Sequence, residues 1–286
     1  MTYARRMVNE DLLRRAAAVV AGADALLIGA GAGMGVDSGL PDFRGAQGFW
    51  RAYPVYQKLG LDFMGMANPR WFDRDPAFAW GFYGHRLELY RRTVPHAGFA
   101  VLARWAAKMK HGAFVYTSNV DGHFQKAGFD AARILEIHGS IHLVQLARRC
   151  PGVTPADPHR FVIDPETLRA AEPLPRCERC GGMLRPNILM FGDGAWDETR
   201  AVAGEARLEA WLATLGDARL AVVECGAGTA IPSVRVFCER LARHRGTLVR
   251  VNVREPAVPP GGIGLAMGAR EALEAMGAMG AMDGLP

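Results

Sequence analysis

The feature that most constrains the fold is a short apolar run that leads directly into a glycine-rich loop near the start of the chain. Residues 23–33 read ADALLIGAGAG. A short apolar run bounded by turn residues is typical of a buried strand. Glycines after such a strand let the main chain approach a phosphate group closely. We therefore predict a buried strand that feeds a phosphate-binding turn.

Further apolar runs alternate with helical patterns along the rest of the chain. Strands are predicted over AFVYTSN (113–119), ARLAVVECG (218–226) and TLVRVNV (247–253). Helices are predicted over residues 9–22, with Asn9 as the cap, and over 96–110 and 199–215. Alternating strands and helices favour a parallel sheet with helices on both faces. The predicted fold class is therefore α/β, with a Rossmann-like doubly wound parallel sheet.

Two stretches break this alternation and predict a smaller lobe inserted into the sheet domain. Residues 45–85 are rich in aromatic side chains, and residues 147–186 carry proline, glycine and three cysteines with little apolar periodicity. We assign residues 1–44, 86–146 and 187–275 to the Rossmann-like domain. The small lobe then consists of a helical aromatic segment, 45–85, and a cysteine-containing module, 147–186. Residues 276–286 are of low complexity and are predicted to be a flexible tail.

The composition excludes several classes of protein. With 286 residues, of which 50% are hydrophobic and 22% charged, the chain can bury a core, which excludes a disordered chain. Five cysteines are too few for a disulfide scaffold in a chain of this length. The sequence has no apolar run long enough for a membrane span, and its first residues lack the apolar segment of a signal peptide. We expect a cytoplasmic protein with no membrane partner.

The charge balance raises nucleic-acid binding as an alternative. The net charge is +5, and the basic residues are 30 arginines and only four lysines. These arginines are spread over the whole chain, mostly singly or in pairs, whereas a nucleic-acid surface concentrates them. We therefore expect no nucleic acid as a primary partner. The oligomeric state stays open.

The glycine loop continues into an unusual polar segment, and the two together resemble a known family. Residues 31–45 read GAGMGVDSGLPDFRG, and a plain turn does not need the stiff SGLPDFRG part. This pattern resembles the nucleotide loop of the sirtuins, which are NAD-consuming protein lysine deacylases. The resemblance continues in order through TSNVDGHFQKAG (117–128), EIHGS (136–140), CERCGGMLRPNILMFGD (177–193), GAGT (226–229) and VNVREP (251–256). It covers most of the chain.

The resemblance implies a set of residues that bind NAD as a co-substrate. They are Gly31, Ala32, Gly33, Asp42, Phe43, Arg44, Ser118, Asn119, Asp121, His138, Gly228, Thr229 and Asn252. Asn119 would order water and a ribose, and Asp121 would hold the nicotinamide carboxamide. The residues themselves agree in part, because TSNVD follows a predicted strand and so lies where open α/β sheets bind ligands. An Asx turn after a strand is the alternative interpretation of this segment.

The resemblance also implies the catalytic residues, His138 and Asn119. His138 follows the apolar run ILEI, and by that context alone it would more often be a packed histidine. The sirtuin pattern makes it the general base for a ribose hydroxyl, a role that needs a pKa near neutrality. In the implied reaction an acyl-lysine amide attacks the ribose of NAD, nicotinamide leaves, and O-acyl-ADP-ribose and free lysine are formed. Phe191 and Gly192 fall where sirtuins bind the substrate peptide as an added strand.

Three positions depart from the sirtuin pattern. Gly35 stands where serine or threonine is usual, Ser118 where the family has a ribose-binding glutamine, and Ala230 where serine is usual. Each change removes or moves a polar contact to NAD, so we expect a weaker affinity for NAD than is typical. None of them removes His138, so catalysis remains the favoured interpretation.

Tyr83 and Arg86 predict the acyl group that is removed. They are three residues apart and would lie on one face of a helix. In the sirtuins that this pair resembles, a Tyr-x-x-Arg motif binds the distal carboxylate of succinyl- or malonyl-lysine, to which the planar guanidinium is suited. The alternative is a surface arginine beside a core tyrosine. We expect desuccinylation or demalonylation to be faster than deacetylation.

The cysteines predict an incomplete zinc site. Cys177 and Cys180 have the spacing of one half of a tetrahedral zinc site. The resemblance implies an earlier pair, of which Cys150 is present, whereas Leu146 occupies the expected place of its partner. The fourth ligand could be water, His142 or His159, or the site has lost its metal. Zinc binding therefore stays open at this point.

Two other functions fit the same scaffold. One is a mono-ADP-ribosyltransferase. The sirtuin relatives with that activity, with which we compare this chain, alter the base histidine, whereas this chain keeps it. The other is an NAD-hydrolysing or NAD-sensing protein, suggested by the altered ribose contacts and the incomplete zinc site. The leading prediction is an NAD-dependent protein lysine deacylase that acts on an acyl-lysine protein or peptide.

Overall fold

The structure is a computed structural model, and it describes residues 3–41, 45–146 and 152–279. Its strands are β1 (Ala25–Ala30), β2 (Ala113–Thr117), β3 (Ile134–Glu136), β4 (Gly139–Leu146), β5 (Val153–Pro155), β6 (Leu184–Ile188), β7 (Leu220–Cys225), β8 (Gly246–Val251) and β9 (Ile263–Leu265). Its α-helices are α1 (Tyr3–Ala21), α2 (Gly33–Val36), α3 (Gly45–Ala52), α4 (Pro54–Lys58), α5 (Phe63–Met66), α6 (Trp71–Arg74), α7 (Pro76–Arg92), α8 (Ala97–Lys108), α9 (His123–Lys126), α10 (Thr199–Ala213), α11 (Ser233–Arg245) and α12 (Ala269–Ala278). Within the described ranges, none of these helices combines the length and the apolar character that crossing a membrane requires.

Six strands form a parallel sheet in the order β3-β2-β1-β7-β8-β9. All the residues of the central strands β1 and β7 are buried. A strand that is covered on both faces reads as a continuous apolar run, which is why these two strands are visible in the sequence. The predicted strands over 113–119, 218–226 and 247–253 correspond to β2, β7 and β8. The Rossmann-like doubly wound sheet is confirmed.

Helices cover both faces of this sheet, as the alternating side-chain directions along β1 show. Leu26 and Ile28 belong to the apolar cluster that α1, α8 and α12 complete on one face. Ala25 and Leu27 belong to the cluster that α10 and α11 complete on the other. Because successive side chains of a strand point to opposite faces, one six-residue run contributes to both layers of the core.

The structure differs from the predictions at two helix boundaries. Helix α1 begins at Tyr3, ahead of the predicted cap Asn9, so the cap signal was wrong. The predicted flexible tail begins too early, because α12 continues to Ala278 and Met276 is fully buried. The repeated small residues and methionines that suggested low complexity lie at helical spacing, and they pack against α8. Residues 280–286 lie outside the described residues.

A second sheet has three antiparallel strands in the order β5-β4-β6. Strand β4 lies within residues 86–146, which the sequence assigned to the Rossmann-like domain. Its partners are β5 and β6, which do not belong to the parallel sheet. The chain leaves that sheet at Gly139, where φ is 78°. A Cβ atom here would lie 2.0 Å from the carbonyl oxygen of Asn187 on β6, so the crossing requires glycine.

The aromatic segment folds as helices α3 to α7, in agreement with the predicted helical insertion. Its buried aromatic residues are Phe49, Tyr53, Tyr56, Phe72, Phe78, Trp80, Phe82, Tyr83 and Tyr90. They form one cluster with Val120 and Ile141, so this lobe packs directly on the segment that follows β2. Helix α7 runs through the predicted domain boundary at residue 86 without interruption.

Candidate active site

The carboxyl ends of β1, β2, β7 and β8 lie side by side at one edge of the parallel sheet. The strand order reverses between β1 and β7, since β2 and β3 lie on one side of β1 and the later strands on the other. Open α/β sheets bind ligands in the crevice at such a switch point. The loops after these strands contain most of the predicted site residues.

The glycine loop after β1 packs against the loop after β7. The main-chain N–H groups of Gly31 and Gly33 donate to the carbonyl oxygens of Cys225 and Gly226, at 3.0 Å in both cases. A Cβ atom at Gly31 would lie 2.6 Å from Cα of Ala227, so no side chain fits there. These glycines are therefore required for the close approach of two loops, in addition to any role beside a phosphate. Asp42, Phe43 and Arg44 lie outside the described residues.

The loop after β2 is held against the glycine loop by hydrogen bonds. The Asn119 side-chain amide donates to the carbonyl oxygen of Gly31 at 3.0 Å, and its main-chain N–H donates to Oγ1 of Thr117 at 3.0 Å. The Thr117 hydroxyl donates in turn to the carbonyl oxygen of Ala30 at 2.9 Å. Ser118 donates from its main chain to the same carbonyl at 3.1 Å. Asn119 is thus fixed at the switch point before any ligand arrives.

Asp121 lies in the same loop and is buried. Its Oδ1 accepts the main-chain N–H of His123 at 2.9 Å. Its Oδ2 lies 3.6 Å from the position that a Cβ atom of Gly35 would take, and Cδ1 of Leu40 lies 2.9 Å from that position. Leu40 therefore takes up the space that the usual serine or threonine at position 35 would need.

His138 lies between β3 and β4, close to the loop after β2. Its carbonyl oxygen accepts the N–H of Leu189 at 3.0 Å, which ties it to the segment that follows β6. Burial lowers the pKa of His138 from the ordinary value of 6.5, and a hydrogen bond with the Ser118 main chain partly offsets this effect. The imidazole is therefore neutral at neutral pH, the form that a general base needs.

Two buried titratable groups near the site were missed in the sequence. Burial raises the pKa of Glu136 to about 7, an effect that Arg200 and hydrogen bonds with Gln125 and Ser140 oppose. His123 is only 1% exposed, and neither of its ring nitrogens has a hydrogen-bond partner in the described part of the chain. Both residues stand in the quoted motifs, EIHGS and TSNVDGHFQKAG, but burial of a side chain cannot be read from a motif.

The loops after β7 and β8 hold each other through side chains. Asn252 is 2% exposed, and its amide donates to the carbonyl oxygen of Ala227 at 2.8 Å. Its Oδ1 accepts the N–H groups of Arg254 and Glu255 at 3.1 and 3.0 Å. Asn252 is predicted to bind NAD, and these bonds fix its side chain between the two loops.

Thr229 lies at the outer end of the same crevice. Its hydroxyl donates to Oε1 of Glu255 at 2.5 Å, and its main-chain N–H donates to Oε2 at 3.2 Å. A Cβ atom at Gly228 would lie 3.5 Å from the same carboxylate. Gly228 and Thr229, which are predicted to bind NAD, thus lie against Glu255, a residue of the VNVREP motif to which no role was assigned from the sequence.

Tyr83 and Arg86 lie on one face of α7, and both are buried. The alternative of a surface arginine is wrong, because Arg86 is only 6% exposed. Its guanidinium lies over the rings of Phe82, Tyr83 and Tyr90, with centroid distances of 5.2, 5.8 and 5.4 Å. The Tyr83 hydroxyl is buried without a hydrogen-bond partner among the described residues.

Phe191 and Gly192 lie in the turn that follows β6. The N–H of Phe191 donates to the carbonyl oxygen of Ala67 at 2.9 Å, which connects this turn to the aromatic lobe. Below the turn, Arg185 and Asp193 form a buried ion pair with two hydrogen bonds of 2.6 and 2.9 Å. Burial raises the pKa of Tyr83, and the charges of Arg185 and Asp193 act on it in opposite directions.

Both the sequence and the fold of the chain are similar to those of known proteins. The model of the Sir2 family matches residues 31–219, about two thirds of the chain. The chain belongs to the Sir2 family. It is 33% identical over 194 residues to the NAD-dependent protein deacylase sirtuin-5, mitochondrial, of Danio rerio. That match covers 63% of this chain and 60% of the Danio protein, so the chain spans less than two thirds of the length of this relative.

Other relatives of this Sir2-family protein match over more of their length. It is 32% identical to NAD-dependent protein deacylase 2 of Pyrobaculum aerophilum over 231 residues, 80% of each protein. The crystal structure of a Sir2 homologue in complex with NAD superposes with a TM-score of 0.65 at 23% identity, covering 94% of this chain and 93% of that one. The comparison with this crystal structure concerns the fold alone, and it agrees with a parallel sheet that carries a separate small lobe.

The polar groups at the switch point of this Sir2-family protein fit NAD. Glycine main chain from the loop after β1 and the Asn119 carboxamide and Asp121 carboxylate from the loop after β2 lie at one crevice. A dinucleotide needs such main-chain and polar groups at the carboxyl edge of the sheet. The residues of the described chain therefore provide a site for this co-substrate.

The cysteine module fits zinc only in part. Main-chain N–H groups of Cys180 and Arg179 hydrogen-bond to the Cys177 thiol and lower its pKa to about 7, as a metal knuckle would. Cδ2 of Leu146 lies 2.8 Å from the Cβ position of Gly182, next to these cysteines. Nε2 of His142, one of the candidates for the fourth ligand, bonds to the carbonyl oxygen of Asp121 at 2.9 Å, which leaves only Nδ1 for a metal.

Cys150 lies outside the described residues. Within the described ranges, no three side chains of histidine, cysteine, aspartate or glutamate come together as a metal site. A structural zinc site needs four closed ligands, and the described residues provide two of them.

Proposed function

We propose that this Sir2-family protein is an NAD-dependent protein lysine deacylase. The observation that carries the proposal is His138, a partly buried histidine with a lowered pKa that hydrogen-bonds to the main chain of Ser118, in the loop that also carries Asn119 and Asp121 at the switch point of the sheet. The activities named for the relatives from Danio rerio and Pyrobaculum aerophilum support it. The substrate is an acyl-lysine in a protein or peptide, and the products are nicotinamide, the free lysine and an acylated ADP-ribose.

Each residue has a role that follows from its position. Bound NAD supplies the ribose to which the acyl group is transferred. Asp121 keeps one carboxylate oxygen on the His123 N–H and offers the other to the carboxamide of nicotinamide. Asn119 is fixed by Thr117 and Gly31, so its carboxamide holds a ribose or water without reorganising. His138 accepts the proton of a ribose hydroxyl on its ring nitrogen.

The acyl group that is removed is acidic, with succinyl or malonyl preferred to acetyl. A guanidinium enclosed by aromatic rings and shielded from water interacts strongly with a carboxylate, because few solvent molecules compete. Tyr83 adds a buried hydroxyl one turn before Arg86 on the same face of α7. The pair therefore fits an acyl chain that ends in a carboxylate.

Substitution of Arg86 tests the acyl preference. Arg86→Met keeps an apolar stem of similar length and removes the charge, so we expect kcat/KM for a succinyl-lysine peptide to fall roughly 10–100-fold, the worth of a charged hydrogen bond. Deacetylation should change less than about threefold. Arg86→Lys is the matched control, since it keeps the charge but not the planar fork. Equal loss on both peptides would show that Arg86 has only a structural role.

Incubation with NAD alone and with NAD plus succinyl-lysine peptide separates the deacylase from the two other functions. Nicotinamide release that depends on the peptide supports the deacylase. Label that moves from NAD to protein supports ADP-ribosyl transfer, and release without any acceptor supports hydrolysis. His138 favours the first outcome because the deacylase needs a base for the second half of the reaction.

A further inference from the structure

We propose that Arg235 on α11 is a positioning residue of the NAD site, which holds the loops after β7 and β8 together at the outer end of the crevice. The proposal rests on the proposed use of NAD as the co-substrate. Gly228, Thr229 and Asn252, which are predicted to bind NAD, lie on these two loops. They face the crevice from the other side of the switch point than the loop that carries Asn119.

Arg235 connects three main-chain carbonyl groups that belong to two different loops. Its Nη1 donates to the carbonyl oxygens of Ala227 at 3.2 Å and Glu255 at 3.1 Å, and its Nη2 donates to that of Ala257 at 3.1 Å. Ala227 follows β7, whereas Glu255 and Ala257 follow β8. Because the donors of a guanidinium lie in one plane at fixed angles, a single side chain sets the separation of the two loops.

The carbonyl groups that Arg235 holds belong to the residues that support the predicted NAD contacts. The Ala227 carbonyl oxygen accepts the Asn252 side-chain amide at 2.8 Å as well as Arg235. Glu255 bonds to Arg235 through its carbonyl oxygen, and its carboxylate accepts the Thr229 hydroxyl at 2.5 Å. Asn252 and Thr229 therefore each contact a residue whose main chain Arg235 holds.

Arg235 lies at a position where an arginine is unfavourable for the helix itself. It is in the first turn of α11, where the partial positive charge of the helix N-terminus disfavours a cation, and it is only 8% exposed. Burial of a charged group costs free energy unless its donors are paired. The other basic residues of this helix end, Arg243, His244 and Arg245, lie in the last turn, where a cation is favoured. The benefit of Arg235 therefore lies in the loops that it connects.

A second buried arginine makes Ala257 a fixed point of the loop after β8. Arg250 on β8 is fully buried, donates to both carboxylate oxygens of Glu224 on β7 at 2.6 and 2.8 Å, and also donates to the Ala257 carbonyl oxygen. Since Arg235 and Arg250 meet at one carbonyl oxygen, this loop is attached to the helix and to the sheet. It is therefore ordered before NAD binds, and the entropy cost of ordering it does not weaken binding.

The test is the affinity of Arg235 variants for ADP-ribose, measured by calorimetric titration without turnover. Arg235→Met keeps a stem of similar length and removes the donors, so we expect the Kd for ADP-ribose and the KM for NAD to rise about tenfold, because the loops must then be ordered on binding. The KM for the acyl-lysine peptide and kcat at saturating NAD should stay within about twofold. Arg235→Lys keeps the charge, but one ammonium group cannot join the three carbonyl groups, so most of the loss should remain.

Arg240→Met is the matched control. Arg240 is exposed on the same helix, and its guanidinium lies over the ring of Phe237. Its substitution should leave the affinity for ADP-ribose unchanged. Equal loss of affinity for ADP-ribose and for the peptide in the Arg235 variants, or no loss in either variant, overturns the role of Arg235.

Hydrogen exchange measures the order of the loop after β8 directly. The N–H groups of Arg254 and Glu255 donate to Oδ1 of Asn252, and they should exchange faster in Arg235→Lys than in Arg240→Met. Should Arg235→Met fail to fold, this measurement and the titration of Arg235→Lys decide the question, and unchanged exchange with unchanged affinity contradicts the proposal.

The same titration separates this inference from the proposed function. If the unchanged enzyme binds no ADP-ribose, the proposed use of NAD fails. If it binds ADP-ribose and the Arg235 variants bind equally well, only the role of Arg235 fails.

Discussion

At the scale of single residues, His138 is subject to opposing influences on its pKa. Burial disfavours the imidazolium, while the hydrogen bond with the Ser118 main chain favours it, and the net effect lowers the pKa below 6.5. The neutral base therefore predominates above that pKa and is lost by protonation as the pH falls through it.

We predict that kcat/KM falls on the acid side with a midpoint below pH 6.5, measured from pH 5 to pH 8. His138→Ala should lower the rate at neutral pH by at least about 100-fold, because general base catalysis contributes that much. Circular dichroism of the variant should match that of the unchanged protein. An acid limb with its midpoint above pH 6.5 would contradict the assignment of His138 as the base.

His123 gives a second prediction at this scale, on stability. Burial lowers its pKa, so protonation is more favourable in the unfolded chain than in the folded one. The free energy of unfolding should therefore decrease as the pH falls below 6.5, through the lowered pKa of the folded state. His123→Leu removes the two ring nitrogens that lack partners among the described residues. We expect it to raise the free energy of unfolding by about 1–3 kcal/mol at pH 5.5 and to weaken the pH dependence.

Urea denaturation at pH 7.5 and at pH 5.5 measures this effect. The matched control is His244→Leu, since His244 is exposed at the end of α11. A His123→Leu protein that is less stable than the unchanged protein at both pH values would show that the imidazole has a stabilising contact.

At the scale of elements, the start of β4 decides how the two sheets meet. Gly139→Ala would place a Cβ atom 2.0 Å from the Asn187 carbonyl oxygen, at a φ of 78°. We expect a loss of about 2–3 kcal/mol in the free energy of unfolding from strain and steric clash. Activity should fall with it, because the segment after β6 bonds to the main chain of His138 through Leu189.

Gly128→Ala is the control for Gly139→Ala, because it measures the strain of a positive φ without a steric clash. Gly128 has a φ of 88°, and nothing lies within 4 Å of its Cβ position. Its substitution should cost only about 1–2 kcal/mol, the penalty for a left-handed residue. Equal costs for the two variants in urea denaturation would show that the β4–β6 crossing tolerates a side chain.

At the scale of the whole molecule, the metal content of the purified protein is open to a direct test. Cys177 and Cys180 form a knuckle, but Leu146 packs beside it where a ligand would be expected. We predict less than one zinc per chain by elemental analysis of untagged protein prepared without chelator. Leu146→Cys should raise the zinc content and the melting temperature, because binding to the folded state stabilises it.

Leu146→Ser is the control, since it changes the packing without adding a strong zinc ligand. One tightly bound zinc in the unchanged protein would contradict the prediction and would indicate that further ligands come from outside the described residues. The result bears on stability alone, because none of the residues around His138 belongs to the knuckle.

Much of the site was open to prediction because it lies in local motifs. The strand and loop at residues 23–33, the TSNVD segment and EIHGS each keep their residues close in space through chain connectivity. Parallel strands then bring the ends of β1 and β2 together, as the alternation of strands and helices predicted. The fold class and the position of these loops at the carboxyl edge of the sheet followed from these patterns.

Other properties depend on contacts between distant residues. Asn252 stands in a recognisable motif, but its bond to Ala227, which is 25 residues away, could not be predicted from that motif. The sequence assigned residues 86–146 to the Rossmann-like domain, whereas β4, within this range, pairs with β6, which lies far along the chain. Glu136, His123 and Glu255 stand in visible motifs, yet their burial and partners come from other elements.

The sequence by itself determined the α/β fold, the order of the loops around the switch point, the likeness to the Sir2 family and the Tyr83–Arg86 pair. These features depend on periodicity and on short spacing along the chain, which local chemistry dictates. Only the tertiary structure decided that Arg86 is buried, that Asn252 bonds to Ala227, and that burial lowers the pKa of His138. Desolvation and long-range hydrogen bonds arise when the lobes pack together, so they have no signature in the order of residues.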